Sequence, residues 1–189
     1  MRQPEGTSEG LSPVYLAGLF DGEGCIDVQR MYPQTGVEGR LYVRPRVRMC
    51  MADSCRVLGE RLHAQFGGHF TSRMPSQRNQ QASWSLEWLS REDMTRLLNT
   101  ILPYLILKAE QAKLVLWWLD AASGRQRRQP GFAGMDQARA ALVEELRAMK
   151  LDPQRLSERA EQRIAALMRQ SDLRGDTETS AEMPEALAA

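Results

Sequence analysis

The chain has 189 residues, 42% of them hydrophobic, enough for one domain with a substantial core. No apolar run approaches membrane-spanning length. Met1 to Gly10 lacks the layout of a signal peptide, and three cysteines (Cys25, Cys50, Cys55) fit neither a disulfide framework nor a zinc site. The expected setting is therefore a reducing one, cytoplasmic or organellar. The net charge of +1 hides an asymmetry: residues 171–189 hold five carboxylates against Arg174 alone, leaving +5 on residues 1–170.

Ser12 followed by Pro13 predicts a helix start, with a hydroxyl to cap free amides and a ring already at the helical φ. Within the segment Leu16-Ala-Gly-Leu-Phe-Asp-Gly-Glu-Gly24, Gly18 and Gly22 lie four apart on one face. A second helix could approach there with backbone close to backbone. Gly22 and Gly24 weaken and end the helix, leaving Glu23 at its negative terminus, where an anionic side chain is poorly placed for stability. Two such helices would bring two carboxylates together, and Mg²⁺, which prefers oxygen ligands, is the natural compensation.

Cys25 to Met31 alternates as a strand, with Ile26 and Val28 on one face and Asp27 and Gln29 on the other. After a loop at 33–39 comes the second strong signal. Tyr42, Arg44, Arg46 and Arg48 share one strand face; Leu41, Val43, Val47, Met49 and Met51 share the opposite one. Pro45 implies a bulge or an unpaired edge. Asp53 or Ser54 caps a helix with the stripe Val57, Leu58, Leu62 and Phe66, closed by Gly67-Gly68. A third strand spans His69 to Met74. A fourth turns Trp84, Leu86 and Trp88 inward and Ser83, Ser85 and Glu87 outward.

Ser90 opens a helix buried along Met94, Leu97, Leu98, Ile101 and Leu102, and an apolar helix is expected from Leu105 to Leu119. The order to that point is helix, two strands, helix, two strands, helix, helix. Residues 123–134 read as a basic linker containing Arg125, Arg127 and Arg128. Residues 135–170 read as accessory amphipathic helices, at Met135 to Met149 and at Pro153 to Met168 with Asp152 as cap. Residues 171–189 read as an acidic, disordered tail.

The Leu16–Gly24 segment resembles the signature of the LAGLIDADG homing endonucleases, departing from the motif's name at Phe20, Gly22 and Glu23. Pro103 to Gln111 closely resembles the family's segment after the third helix. The resemblance covers roughly Leu11 to Leu119 and implies an α+β fold, an αββαββα core in residues 1–122 whose curved antiparallel sheet lies along the DNA major groove. One motif copy implies a homodimer, with Leu16, Ala17, Gly18, Phe20 and Asp21 at the interface. It implies Mg²⁺ held by Glu23 and the Gly22 carbonyl, with Glu23 and Lys108 catalytic. Asp27, Gln29, Tyr42, Arg44, Arg46, Arg48, Ser83 and Ser85 become candidate base readers. Arg30, Arg73 and the Arg125–Arg128 cluster become phosphate contacts.

The implied activity is hydrolysis of both strands of a long pseudo-palindromic DNA site. The chain departs from the family pattern at Met51, where a polar residue, often glutamine, positions water. A thioether cannot do this. A cleavage-deficient relative, acting as an intron RNA maturase or DNA-binding regulator, therefore stands beside the nuclease reading.

Overall fold

The computed structural model describes residues 10–31, 42–75, 80–123 and 133–178. The expected loop at 33–39, Arg125, Arg127, Arg128 and the end of the acidic tail lie outside them, as do the side chains of Arg30 and Tyr42. Helix α1 (Pro13–Glu23) leads into β1 (Gly24–Met31) and β2 (Tyr42–Ala52). A 3₁₀ turn (Asp53–Cys55) precedes α2 (Arg56–Phe66), β3 (His69–Arg73) and β4 (Ser83–Trp88). Then come α3 (Arg91–Ile101), a second 3₁₀ turn (Leu102–Tyr104), α4 (Ala109–Ser123), α5 (Ala133–Leu151) and α6 (Ser157–Glu178).

The four strands form one antiparallel sheet in the order β1-β2-β4-β3. Period-two alternation divides its faces. Val43, Val47 and Met49 from β2 join Trp84, Leu86 and Trp88 from β4 under the helices, all nearly inaccessible to solvent. The arginines of β2 lie on the opposite face. Pro45 needs no bulge: it pairs in register with Val28, and the ladder to β4 begins only at Val47. A residue without an N–H is tolerated where one neighbouring strand has ended.

The helices cover the apolar face for reasons local to each. α1 buries Leu16, Ala17 and Phe20. Pro13 opens it as expected, but the Ser12 hydroxyl makes no capping bond. The Phe20 ring folds beneath the helix end, where a Cβ on Gly24 would lie 2.5 Å from it. In α2 the buried stripe is Gly59, Leu62 and Phe66, while Val57 is exposed, which corrects the expected stripe by part of a turn. Gly59 is required by close approach, since a Cβ there would meet Phe70 at 2.7 Å and Trp84 at 2.9 Å. Gly67 and Gly68 turn the chain back at φ +70° and +92°, a region that only glycine enters readily. In α3 the Ser90 hydroxyl accepts the Asp93 N–H, and Met94, Leu97, Leu98 and Ile101 are buried as the spacing predicts.

Three expectations are corrected beyond this core. The helix expected from Leu105 begins at Ala109, because Leu105–Lys108 is held in another conformation by Asp21. The last helix starts at Ser157 rather than Pro153. Asp152 instead accepts the Gln154 N–H in a turn, and Glu110 of α4 takes the Ser157 N–H. That helix then runs to Glu178, so the first part of the expected disordered tail is helical.

α5 and α6 pair with each other, α6 packs on α4, and α5 packs on β1, the outer strand. Leu142, Leu146, Met149, Ile164 and Met168 belong to the same continuous core as the sheet. The expected boundary near residue 122 thus divides the sequence but not the core. Glu145, almost fully buried, anchors the α5–α6 pair by accepting bonds from Arg155 and Arg163, each at 2.8 Å. No described helix is long and apolar enough to cross a membrane.

Candidate active site and nucleic-acid interface

Glu23 closes α1 at the point where the chain enters the sheet. Its carboxylate is exposed, and among the described residues no hydrogen bond or ion pair holds it. Asp21, two positions earlier, is committed elsewhere. Its Oδ2 accepts the N–H groups of Ile106 at 2.7 Å and Leu107 at 3.2 Å, and its Oδ1 accepts that of Lys108 at 3.0 Å. These amides lie just before α4, where no helical turn offers them an acceptor. Lys108 in turn donates its ammonium to the Asp21 carbonyl. Burial holds the Lys108 pKa below its usual value. Lys150 adds to the effect, while Asp21, Cys25 and Glu23 oppose it. The two motif-like segments therefore meet, with Asp21 as the fastener and Lys108 held beside the helix end.

The structure corrects the expected helix-packing residues. Leu16, Ala17 and Phe20 are at most 2% exposed within the chain itself, so they offer no surface to a second copy. Asp21 is satisfied internally. Of the expected set Gly18 alone faces outward; with Gly22 it forms the open face of α1, and nothing lies within 4 Å of a Cβ built on either. Around it, Val14, Tyr15, Tyr104, Ile106 and Leu107 are large apolar side chains left exposed. Sequence alone put Gly18 and Gly22 on one open face. That the chain's own core takes up Leu16, Ala17 and Phe20 was the missing information.

On the polar face of the sheet, β1 and β2 pair Asp27 with Arg46, Gln29 with Arg44, and Cys25 with Arg48. The side chains follow the register. Arg46 donates to both Asp27 oxygens at 2.8 and 2.9 Å and approaches Glu87 at 3.7 Å. Arg44 donates to Gln29 at 2.8 Å, and Arg48 lies 3.5 Å from Asp27. Burial alone would raise the Asp27 pKa, but the Arg46 bonds and the charges of Arg46, Arg48 and Lys150 hold it below the ordinary value. The arginine row is thus a cross-strand network, oriented by its partners.

Ser83 and Arg73 sit opposite each other between β4 and β3 on this same face, with Arg73 exposed and Ser83 partly so. Ser85 does not serve as expected: it is 5% exposed, and its hydroxyl accepts the Cys50 thiol. It lies on a central strand, covered by its neighbours. Met51 packs against the core on the apolar side. Arg56 is held by Glu60, Asp53 and Ser72 and lies over the Phe70 ring, fastening α2 to β3.

Sequence reasoning missed the C-terminal contribution. The Lys150 ammonium, at the end of α5, donates to the Cys25 thiol at 3.4 Å, two residues beyond Glu23. Its only sequence signal was rarity, as one of three lysines in an arginine-rich chain.

No family model matches the chain, and no curated protein does. Solved structures match well. The homing endonuclease I-CvuI, in complex with its target in the presence of Ca, aligns with a TM-score of 0.57 at 20% identity, over 82% of this chain and 93% of that one. The archaeal intron-encoded homing endonuclease I-Vdi141I, complexed with DNA, aligns at 0.55 and 16% identity, over 85% and 96%. The LAGLIDADG homing endonuclease I-GzeII, in complex with its DNA target, aligns at 0.53 and 12% identity, over 76% and 45%. With its motif helix set behind a four-stranded antiparallel sheet, the chain has the fold of the LAGLIDADG homing endonucleases.

Proposed function

We propose that the chain is a site-specific DNA endonuclease, acting as a homodimer on a roughly two-fold-symmetric site. The observation that carries this reading is the unbonded Glu23 carboxylate, presented where the open face of α1 meets the polar face of the sheet. The structural neighbours described as DNA complexes support the substrate class. Packing two copies through Gly18 and Gly22 brings two Glu23 side chains together, and a two-fold dimer meets equivalent half-sites.

The residues fit a divalent cation only in such a pair. Among the described residues of one chain, no three carboxylate, histidine or cysteine groups gather in a way that could hold a metal. Two Glu23 carboxylates and two Gly22 carbonyls, with phosphate oxygens, form the hard-oxygen set that Mg²⁺ prefers. When bound, the cation supplies Lewis-acid activation of water and stabilisation of the leaving oxygen. Lys108 places a positive charge beside the same helix end, and the sheet's polar groups orient the duplex in the groove. Glu23 is exposed, so Glu23→Gln is expected to keep the fold while removing the charge.

The test is cleavage of a host-genomic DNA library with Mg²⁺, wild type beside Glu23→Gln. The expected outcome is discrete cuts from wild type alone, with duplex affinity kept by the variant. One observation favours a second reading, a maturase or DNA-binding regulator without cleavage: Met51 packs against the core, and its thioether cannot position water. Salt-sensitive binding by both proteins without cuts from either selects that reading.

A further inference from the structure

A groove of about 610 Å³ runs between the polar face of β1–β2 and the C-terminal half of α5. The sheet lines it with Asp27, Gln29 and Arg46, and α5 with Val143, Leu146, Arg147 and Lys150. Its walls differ electrostatically. On the sheet side, Arg46 is neutralised by its paired bonds to Asp27. On the α5 side, Arg147 and Lys150 are exposed, and among the described residues no carboxylate lies within ion-pair distance of either. Lys150 reaches over β1 to Cys25, so its charge lies between the sheet's polar face and the helix end that bears Glu23.

We propose that Arg147 and Lys150 form a phosphate clamp, holding the DNA backbone against the outer strand beside the cutting site. The inference rests on the DNA-binding reading above and extends it to the C-terminal helices. Charge and position both favour a phosphodiester as the occupant. The groove opens along the face that carries Gln29, Arg44 and Arg46, and its outer wall offers two cations without a carboxylate partner among the described residues. The influence of Lys150 on both Asp27 and Lys108 places its field over this same region. A purely structural role is available to Lys150, whose charge complements the negative end of α5. Such a role affects stability and not the ionic dependence of binding.

The experiment measures affinity of the full-length chain for a short mixed-sequence duplex across a salt series, because phosphate contacts need no specific site. For wild type, log K falls linearly with log salt, and each phosphate that is no longer neutralised reduces the slope by about 0.9. Lys150→Gln and Arg147→Gln are each expected to reduce it by about that amount per chain, with Lys150→Arg restoring the wild-type slope. Arg159→Gln, which removes a charge from the exposed face of α6, is expected to leave it unchanged. Thermal melting of each variant confirms that the comparison is between folded proteins. Unchanged slopes for both groove variants, or an equal reduction in Arg159→Gln, overturn the clamp while leaving DNA binding intact. A wild type with no salt-dependent affinity overturns both the clamp and the function on which it rests.

Discussion

Asp27 shows how a single residue joins stability to the binding face. Its folded pKa lies below the ordinary 3.8. A carboxylate depressed in this way contributes stability above its unfolded pKa, and that contribution is lost as pH falls through the lower folded value. Melting temperature against pH should therefore show wild type losing stability below about pH 4 more steeply than Asp27→Asn. At neutral pH the same substitution should cost about 1–2 kcal/mol through the charged bonds to Arg46. Gly59 makes the opposite kind of point, since here the absence of an atom is required. Gly59→Ala drives a methyl into Phe70 and Trp84. It should cost about 1–3 kcal/mol, read as a lower denaturation midpoint. The alternation that exposed Asp27 was legible in sequence. The need for glycine at position 59 was not, because Phe70 and Trp84 approach α2 only after the sheet has formed.

At the scale of elements, the bond set from Asp21 to residues 106–108 determines where α4 begins. Local pattern extends that helix back to Leu105, since the residues there are apolar and helix-compatible. A carboxylate 85 residues away in sequence takes the Ile106 N–H instead. Asp21→Ala should leave these amides without their acceptor, cost about 1–3 kcal/mol, and speed amide hydrogen exchange at Ile106 and Lys108. Cleavage should fall with it, because the Lys108 position depends on this contact. The same logic separates the two ends of the α5–α6 pair. Periodicity located both helices, but Glu110 on α4 decided that the second begins at Ser157.

For the whole molecule, the two faces of α1 have separate consequences. Phe20 is 1% exposed in the chain's own core. Phe20→Ala should lower stability by about 3–5 kcal/mol whatever the oligomeric state. Gly18 has open space beyond its Cα. Gly18→Leu should therefore leave the fold of a single chain intact, while its bulk keeps a second helix away. Sedimentation should show a monomer that no longer cuts; a Gly18→Leu dimer with normal cleavage would remove this face from the assembly. The accessory helices also change meaning at this scale, because Leu142 and Met168 share a continuous core with the sheet.

The sequence by itself determined the order of elements, the oily and polar faces of the strands, and the carboxylate at the end of the motif helix. Each of these follows from local periodicity or from residue chemistry that neighbours in sequence impose. The tertiary structure decided that Leu16, Ala17 and Phe20 of α1 enter the chain's own core, that Ser85 is covered, and that Lys150 returns to the beginning of the sheet. Those outcomes depend on contacts between distant segments, where burial and long-range hydrogen bonds outweigh what any local stretch prefers.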